Sequence, residues 1–280
     1  MVIWVLATGG LLIAAAAESS LPANPPNPDI PPIHAESPKV AQNLSVISDL
    51  AVYSAYVSRG QVNSDQPVIQ PALTIKKYGV RLNVWGNFDL SDEVTGRRQF
   101  SEVDFTAAYD FPVRVIEVSA GIVEYMYPNT PRPSTREAFI NIAWPNPIVV
   151  PEFDVYYDFG DVRGAYVNLS LEHDFKILAD RLTLTPGVNN GWGSRSFNTY
   201  FFAWNLTNGM ASDDLVTSQD AGLVNGEAYV LAEYALTPSL ILGGRVLYAW
   251  LWNSDIEAGA RQIYFGVEQW VFGGSLSYTF

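Results

Sequence analysis

The 280-residue sequence contains no cysteine. That excludes disulfides, thiolate metal sites, a cysteine nucleophile and a lipid-carrying N-terminal cysteine. Histidine is almost as scarce: only His34 and His173 are present. Neither a GxSxG elbow nor an HExxH helix occurs, so the two commonest hydrolase signatures are absent. Basic residues are few, with 16 Lys+Arg against 29 Asp+Glu and a formal charge of −13. Nucleic-acid binding depends on basic contacts to phosphate, so that balance argues against it and suits a cation or a polar solute. After residue 17 no apolar run approaches the roughly 20 residues of a spanning helix, so any membrane crossing falls to strands.

Aromatic residues are abundant, with 15 Tyr, 14 Phe and 8 Trp. Residues 1–17 form an apolar run closing on four alanines before Glu18, although no Lys or Arg precedes it. They read as a secretory signal peptide cut after Ala17. Residues 18–42 carry a run of prolines that cannot donate to a sheet ladder, which predicts an extended periplasmic lead-in. Residues 43–280 are the remaining domain.

The last stretch, Trp270 to Phe280, alternates strictly. Phe272, Gly274, Leu276, Tyr278 and Phe280 fall on one face and Ser275, Ser277 and Thr279 on the other. Lipid on one side and a wet lumen on the other produce that pattern, and the terminal Phe resembles the closing signal of bacterial outer-membrane barrels. Strands are expected at about 46–58, 67–77, 80–90, 99–110, 113–126, 135–145, 148–159, 164–174, 181–190, 226–236, 239–251 and 263–280. Short links alternate with long ones, and about twelve strands give the even count that an up-and-down antiparallel transmembrane β-barrel requires. The segment from Asn198 to Asn205 is left in a long loop, either as a hairpin above the membrane or folded over the lumen. The expected location is a bacterial outer membrane.

The same alternation assigns lumen-facing charges. Inward acids are Glu102, Asp104, Glu117, Glu137, Glu152, Asp154, Asp158, Glu172, Glu227 and Glu233; inward bases are Lys76, Arg81 and Arg245. Carboxylates in a confined lumen concentrate cations and repel anions. The bland alternative is an internal salt-bridge and water network filling a closed barrel.

The stretch Tyr56 to Gln70, with its Arg59-Gly60 and Ser64-Asp-Gln-Pro-Val-Ile-Gln70, is followed by Val84-Trp-Gly-Asn87 and Glu102-Val-Asp104. It resembles the first hairpin of the TorF family of putative porins, over roughly the first four strands. The resemblance implies an outer-membrane barrel named a porin by architecture.

Three classes of function remain. The first is passive diffusion of small polar solutes or ions, with cation preference. The second is a structural or adhesion barrel with a blocked lumen. The third is an outer-membrane phospholipase, which would need a Ser aligned with the His173-Asp174 dyad; no enzymatic activity, cofactor or metal is expected. In the first loop Arg59 is expected to pair with Asp65. The acidic runs Ser212-Asp-Asp214 and Asn253 to Glu257 lack calcium-loop spacing and read as solvated charge. Expected partners are outer-membrane lipid and, through the last strand, the barrel-assembly machinery. Homo-oligomerisation is left open.

Overall fold

The computed structural model describes residues 43–203 and 219–280. The expected signal peptide at 1–17, the proline-rich segment at 18–42 and the acidic run at 212–214 lie outside the described residues. Fifteen strands occur among the described residues: β1 Ser45–Tyr53, β2 Tyr56–Ser58, β3 Gln61–Ser64, β4 Val68–Lys77, β5 Val80–Asp89, β6 Phe100–Phe111, β7 Glu117–Met126, β8 Thr135–Ala143, β9 Val150–Asp158, β10 Ala165–Glu172, β11 Phe175–Ile177, β12 Leu182–Gly193, β13 Gly222–Thr237, β14 Leu240–Leu251 and β15 Glu268–Thr279. Two helices, α1 Arg195–Phe202 and α2 Ser254–Ile263, lie in the long connections before β13 and β15.

Twelve strands close one antiparallel barrel. Sequential neighbours pair in order, β10 passes over the small β11 to pair with β12, and β1 meets β15 at Leu50↔Leu276. Closure leaves no unpaired edge, which lipid would penalise heavily. On β8 the alternation is uninterrupted: Thr135, Glu137, Phe139, Asn141 and Ala143 are buried, while Arg136, Ala138, Ile140 and Ile142 are exposed. Leu82, Phe105, Ile140, Leu169, Leu242 and Leu276 stand 43–49% exposed on the outside. Apolar side chains this open suit hydrocarbon and not water, so the outer surface is the lipid-facing one.

Two departures from the expected strands shape the interior. The first predicted strand, to residue 58, ends as wall at Tyr53; residues 56–64 turn inward as the β2–β3 hairpin, which pairs only with itself. Ala55, Tyr56 and Val57 are a short apolar run of strand-forming residues directly after β1, so composition does not register that the chain has left the wall. The last predicted strand, from residue 263, begins at Glu268, because residues 254–263 coil into α2. There Asn253 Oδ1 accepts from the Asp255 amide at 2.8 Å and caps the helix.

Candidate functional site: the lumen and its inserted hairpin

The β2–β3 hairpin turns on Arg59 (φ 49°) and Gly60 (φ 78°). Both residues are left-handed, as a two-residue turn between twisted strands requires. Only glycine fits the second position, because a Cβ on Gly60 would lie 2.5 Å from Leu251 and 2.7 Å from Asn225. One face of the hairpin, with Val57 and Val62, packs on Leu231, Leu247 and Val271 of the wall. Apolar inward residues on β13 to β15 thus serve the hairpin and not the solvent.

The tip reaches the opposite wall. Arg59 Nη1 and Nη2 donate to Glu137 Oε1 and Oε2, each at 2.7 Å, a bidentate geometry. Its guanidinium also stacks on the rings of Tyr156 at 4.5 Å and Tyr166 at 4.7 Å. The expected Arg59–Asp65 pair does not form. Asp65 is exposed and accepts from Gln66 at 3.2 Å, whereas an enclosed carboxylate offers far stronger attraction than one in water. Beside the tip, Tyr56 donates to Glu102 at 2.5 Å. A cavity of about 20 Å³, room for roughly one water, lies among Tyr56, Arg59, Glu102, Tyr127, Arg132 and Glu137.

The two helices cover the same extracellular half. Ser194 caps α1 by accepting from the Phe197 amide at 3.3 Å, and Phe197, Phe201 and Phe202 are buried against Tyr166, Leu251 and Ile256. Of the two readings of this segment, folding over the lumen is the one observed for its described residues. Gln219 Nε2 donates to the carbonyls of Phe202 at 3.1 Å and Asp255 at 2.7 Å, tying α1 to α2. The Tyr264 hydroxyl, pushed up to about 12 by burial, shares its proton between Gln61 Oε1 at 2.8 Å and the Phe201 carbonyl at 3.0 Å. Hairpin and helices therefore form one hydrogen-bonded insert.

All thirteen charges singled out in the sequence lie on the inward face of their strands. Lys76 is half-buried on β4 and Arg81 is buried on β5, its Nη2 3.4 Å from both Asp110 and Ser119. Glu102 and Asp104 are buried on β6, and Glu117 is half-buried near the periplasmic end of β7. On β9, Glu152 is half-buried and Asp154 accepts from Asn141 at 2.6 Å and from Asn168 at 3.2 Å. Asp158 accepts from Thr135 at 2.6 Å and from the amides of Gly160 and Val162, which shapes a loop. Glu172 accepts from Tyr229, Glu227 accepts from Asn189 at 2.9 Å, and Glu233 is half-buried. Arg245 is buried on β14 between Tyr53 and Tyr229. The sequence reading omitted Asp49, Asp89 and Asp110, which share the inward parity of their strands, and the insert's Arg59. Parity alone would have found the three acids.

The barrel-closing residues Gly274, Leu276, Tyr278 and Phe280 face outward, with the Phe280 amide donating to Val46 at 2.9 Å. His173 packs edge-on against Phe175, their centroids 4.4 Å apart, while Asp174 accepts from Thr185 at 2.6 Å.

Residues 36–237 match the family model Gcw_chp, described as a bacterial protein of unknown function. The chain belongs to this family. The Gcw_chp match runs through the end of β13 and so takes in the hairpin and α1. No curated protein matches the sequence. Among solved structures, the COG4313 outer-membrane channel from Pseudomonas putida F1 aligns with TM-score 0.53 at 12% identity, covering 90% of this chain and 100% of that one. The NanC porin aligns at 0.46 with 11% identity, and the KdgM porin at 0.48 with 8%; each alignment covers 84% of this chain and 99% of the porin. At such identities the likeness is one of fold. This Gcw_chp chain is a porin-like β-barrel of a bacterial outer membrane.

Proposed function

We propose that the barrel is a diffusion channel for small polar solutes or ions and that it prefers cations. The observation that carries the reading is the direction of the thirteen charges: ten acids and three bases share the inward face, and Asp49, Asp89 and Asp110 add to the acids. Pairing with Lys76, Arg81, Arg245, the insert's Arg59 and Arg132 of the β7–β8 loop leaves carboxylates in excess, and excess fixed negative charge in a confined passage favours cations. Its last strand, ending on Tyr278 and Phe280, is the segment read by the barrel-assembly machinery. The likeness of residues 56–70 to the TorF first hairpin is consistent with the same reading.

Reversal potentials of single channels in a KCl gradient test it. The protein should read on the cation side of zero, and Asp104→Asn, Glu117→Gln and Asp154→Asn together should move it toward zero. Anion selectivity, or an absence of conductance, would sink the proposal. The inserted hairpin favours a second reading, a barrel held shut as a structural element. If that is correct, intact protein is silent and removal of residues 55–66 opens it.

A further inference from the structure

Along the wall formed by β14, β15 and β1 runs a line of enclosed polar groups, with a guanidinium at its centre. Midway along β14, Arg245 is 3% exposed, and its Nε, Nη1 and Nη2 meet no acceptor in hydrogen-bond geometry. The rings of Tyr53 and Tyr229 flank it, with centroids 6.0 and 5.7 Å from Cζ. The Tyr53 hydroxyl reaches it only in a loose hydrogen-bonding contact, and Glu227 is its charged neighbour. Tyr229 is already committed, its hydroxyl donating to Glu172. Toward the periplasm the register runs Arg245↔Gly273, Gly243↔Ser275 and Ile241↔Ser277, with Asp49 opposite Ser277 on β1. The Oγ atoms of Ser275 and Ser277 and Asp49 Oδ1 are enclosed there, with Ser277 and Asp49 in loose contact with each other. On other walls polar groups close on one another: Gln70 on Asn87 near the extracellular ends of β4 and β5, and Asn141 and Asn168 on Asp154 across β8 to β10.

A guanidinium offers five N–H donors and does not lose its proton. Enclosing it with its donors unfilled by anything better than a loose contact is strongly unfavourable, and each such group in a folded protein calls for a reason. In a passage the acceptor that suits a planar fork is a carboxylate, held bidentately. A simple anion is repelled by the surrounding acids, whereas a molecule that also carries an ammonium group is not.

We infer that Arg245, framed by Tyr53 and Tyr229, binds the carboxylate of a small zwitterionic solute, an amino acid or short peptide, whose ammonium group is taken by Glu227. Glu233, opposite Gly243, and then Asp49, about 13 Å from Arg245 along the wall at the rise of a strand, are the next carboxylates toward the periplasm. This inference rests on the channel reading and adds the solute class to it.

The test is saturation-transfer NMR on the full chain in detergent, with three probes of one skeleton: L-serine, serinol, which lacks the carboxylate, and glycerate, which lacks the ammonium. Serine should receive saturation and the other two much less. Arg245→Gln should weaken serine by about tenfold or more, the effect of removing a charged hydrogen-bond partner. Arg245→Lys keeps the charge, loses the fork and should fall between, and an unboiled-gel mobility shift verifies that each variant is folded. Serine saturation absent from the wild type or unchanged in Arg245→Gln overturns the inference, as does equal binding of serinol or glycerate. Binding is read here without conduction, so a silent barrel that binds serine defeats the channel reading alone.

Discussion

The contact between Arg59 and Glu137 offers the sharpest quantitative test of the insert. Arg59→Ala removes two 2.7 Å charge-assisted bonds and two ring stacks at 4.5 and 4.7 Å. It leaves Glu137, 2% exposed, facing Tyr125 without a cation. Stripping one partner from an enclosed pair costs about 3–5 kcal/mol, and the stacks add about 1 kcal/mol. Val57 and Val62 still hold the hairpin to β13–β15, so we take the low end. About 3 kcal/mol is roughly a hundredfold shift from docked to undocked hairpin. Hydrogen exchange of residues 56–64 in nanodiscs reads that ratio, and single-channel conductance reads its consequence. Arg59→Gly is the internal control: φ at this position is 49°, so glycine relieves about 1 kcal/mol of backbone strain while deleting the same side chain. Its exchange should therefore be about fivefold slower than that of Arg59→Ala. Unchanged exchange in a folded Arg59→Ala protein would refute the assignment of the tip contact as the main latch.

Three further outcomes follow from the same geometry. A Cβ on Gly187 would lie 2.4 Å from the Tyr229 ring, so Gly187→Val should displace Tyr229 from Glu172 and lower the temperature of the gel-mobility transition by several degrees; no shift would show that the ring has room to move. Val246→Arg puts a charge midway along the lipid face of β14, at a cost of about 2–4 kcal/mol near the midplane, which urea titration of vesicle-folded protein measures. Phe280→Ser should reduce assembly in cells while leaving detergent refolding unchanged, because Phe280 is 73% exposed and little packing is lost; equal loss in both settings would make its role structural.

The wall of this protein was legible because lipid and lumen impose opposite polarities on alternate residues, and β8 and β15 write that opposition almost without exception. The insert was less legible. Tyr56-Val-Ser58 prolongs the strand-forming composition of β1, and only the Arg59-Gly60 turn between two three- to four-residue strands signals a small hairpin. In α1 the cue was the Ser194 cap with Phe197 and Phe201 one turn apart, and in α2 it was Asn253 with Ile256 and Ala260. Short amphipathic helices among aromatic-rich loops compete with a strand pattern of the same composition. The Arg59 partner was missed for a different reason: sequence proximity favoured Asp65, while the fold places Glu137, 78 positions away, against the guanidinium.

The pairing of β1 with β15 also fixes the order of events in assembly. Ile47 finds Thr279 and Tyr53 finds Gly273, so the seam joins the two segments farthest apart along the barrel. Loop-closure entropy rises only by about 0.6 kcal/mol per doubling of length, so distance itself is a minor obstacle. Two bare edges, β1 and the growing far side of the sheet, must instead persist until the final strand arrives, each a template for pairing with another chain. The rate of the closing step, set against encounters with neighbouring unfolded chains, then decides how much protein reaches the membrane intact, and yield should fall with concentration well before stability does.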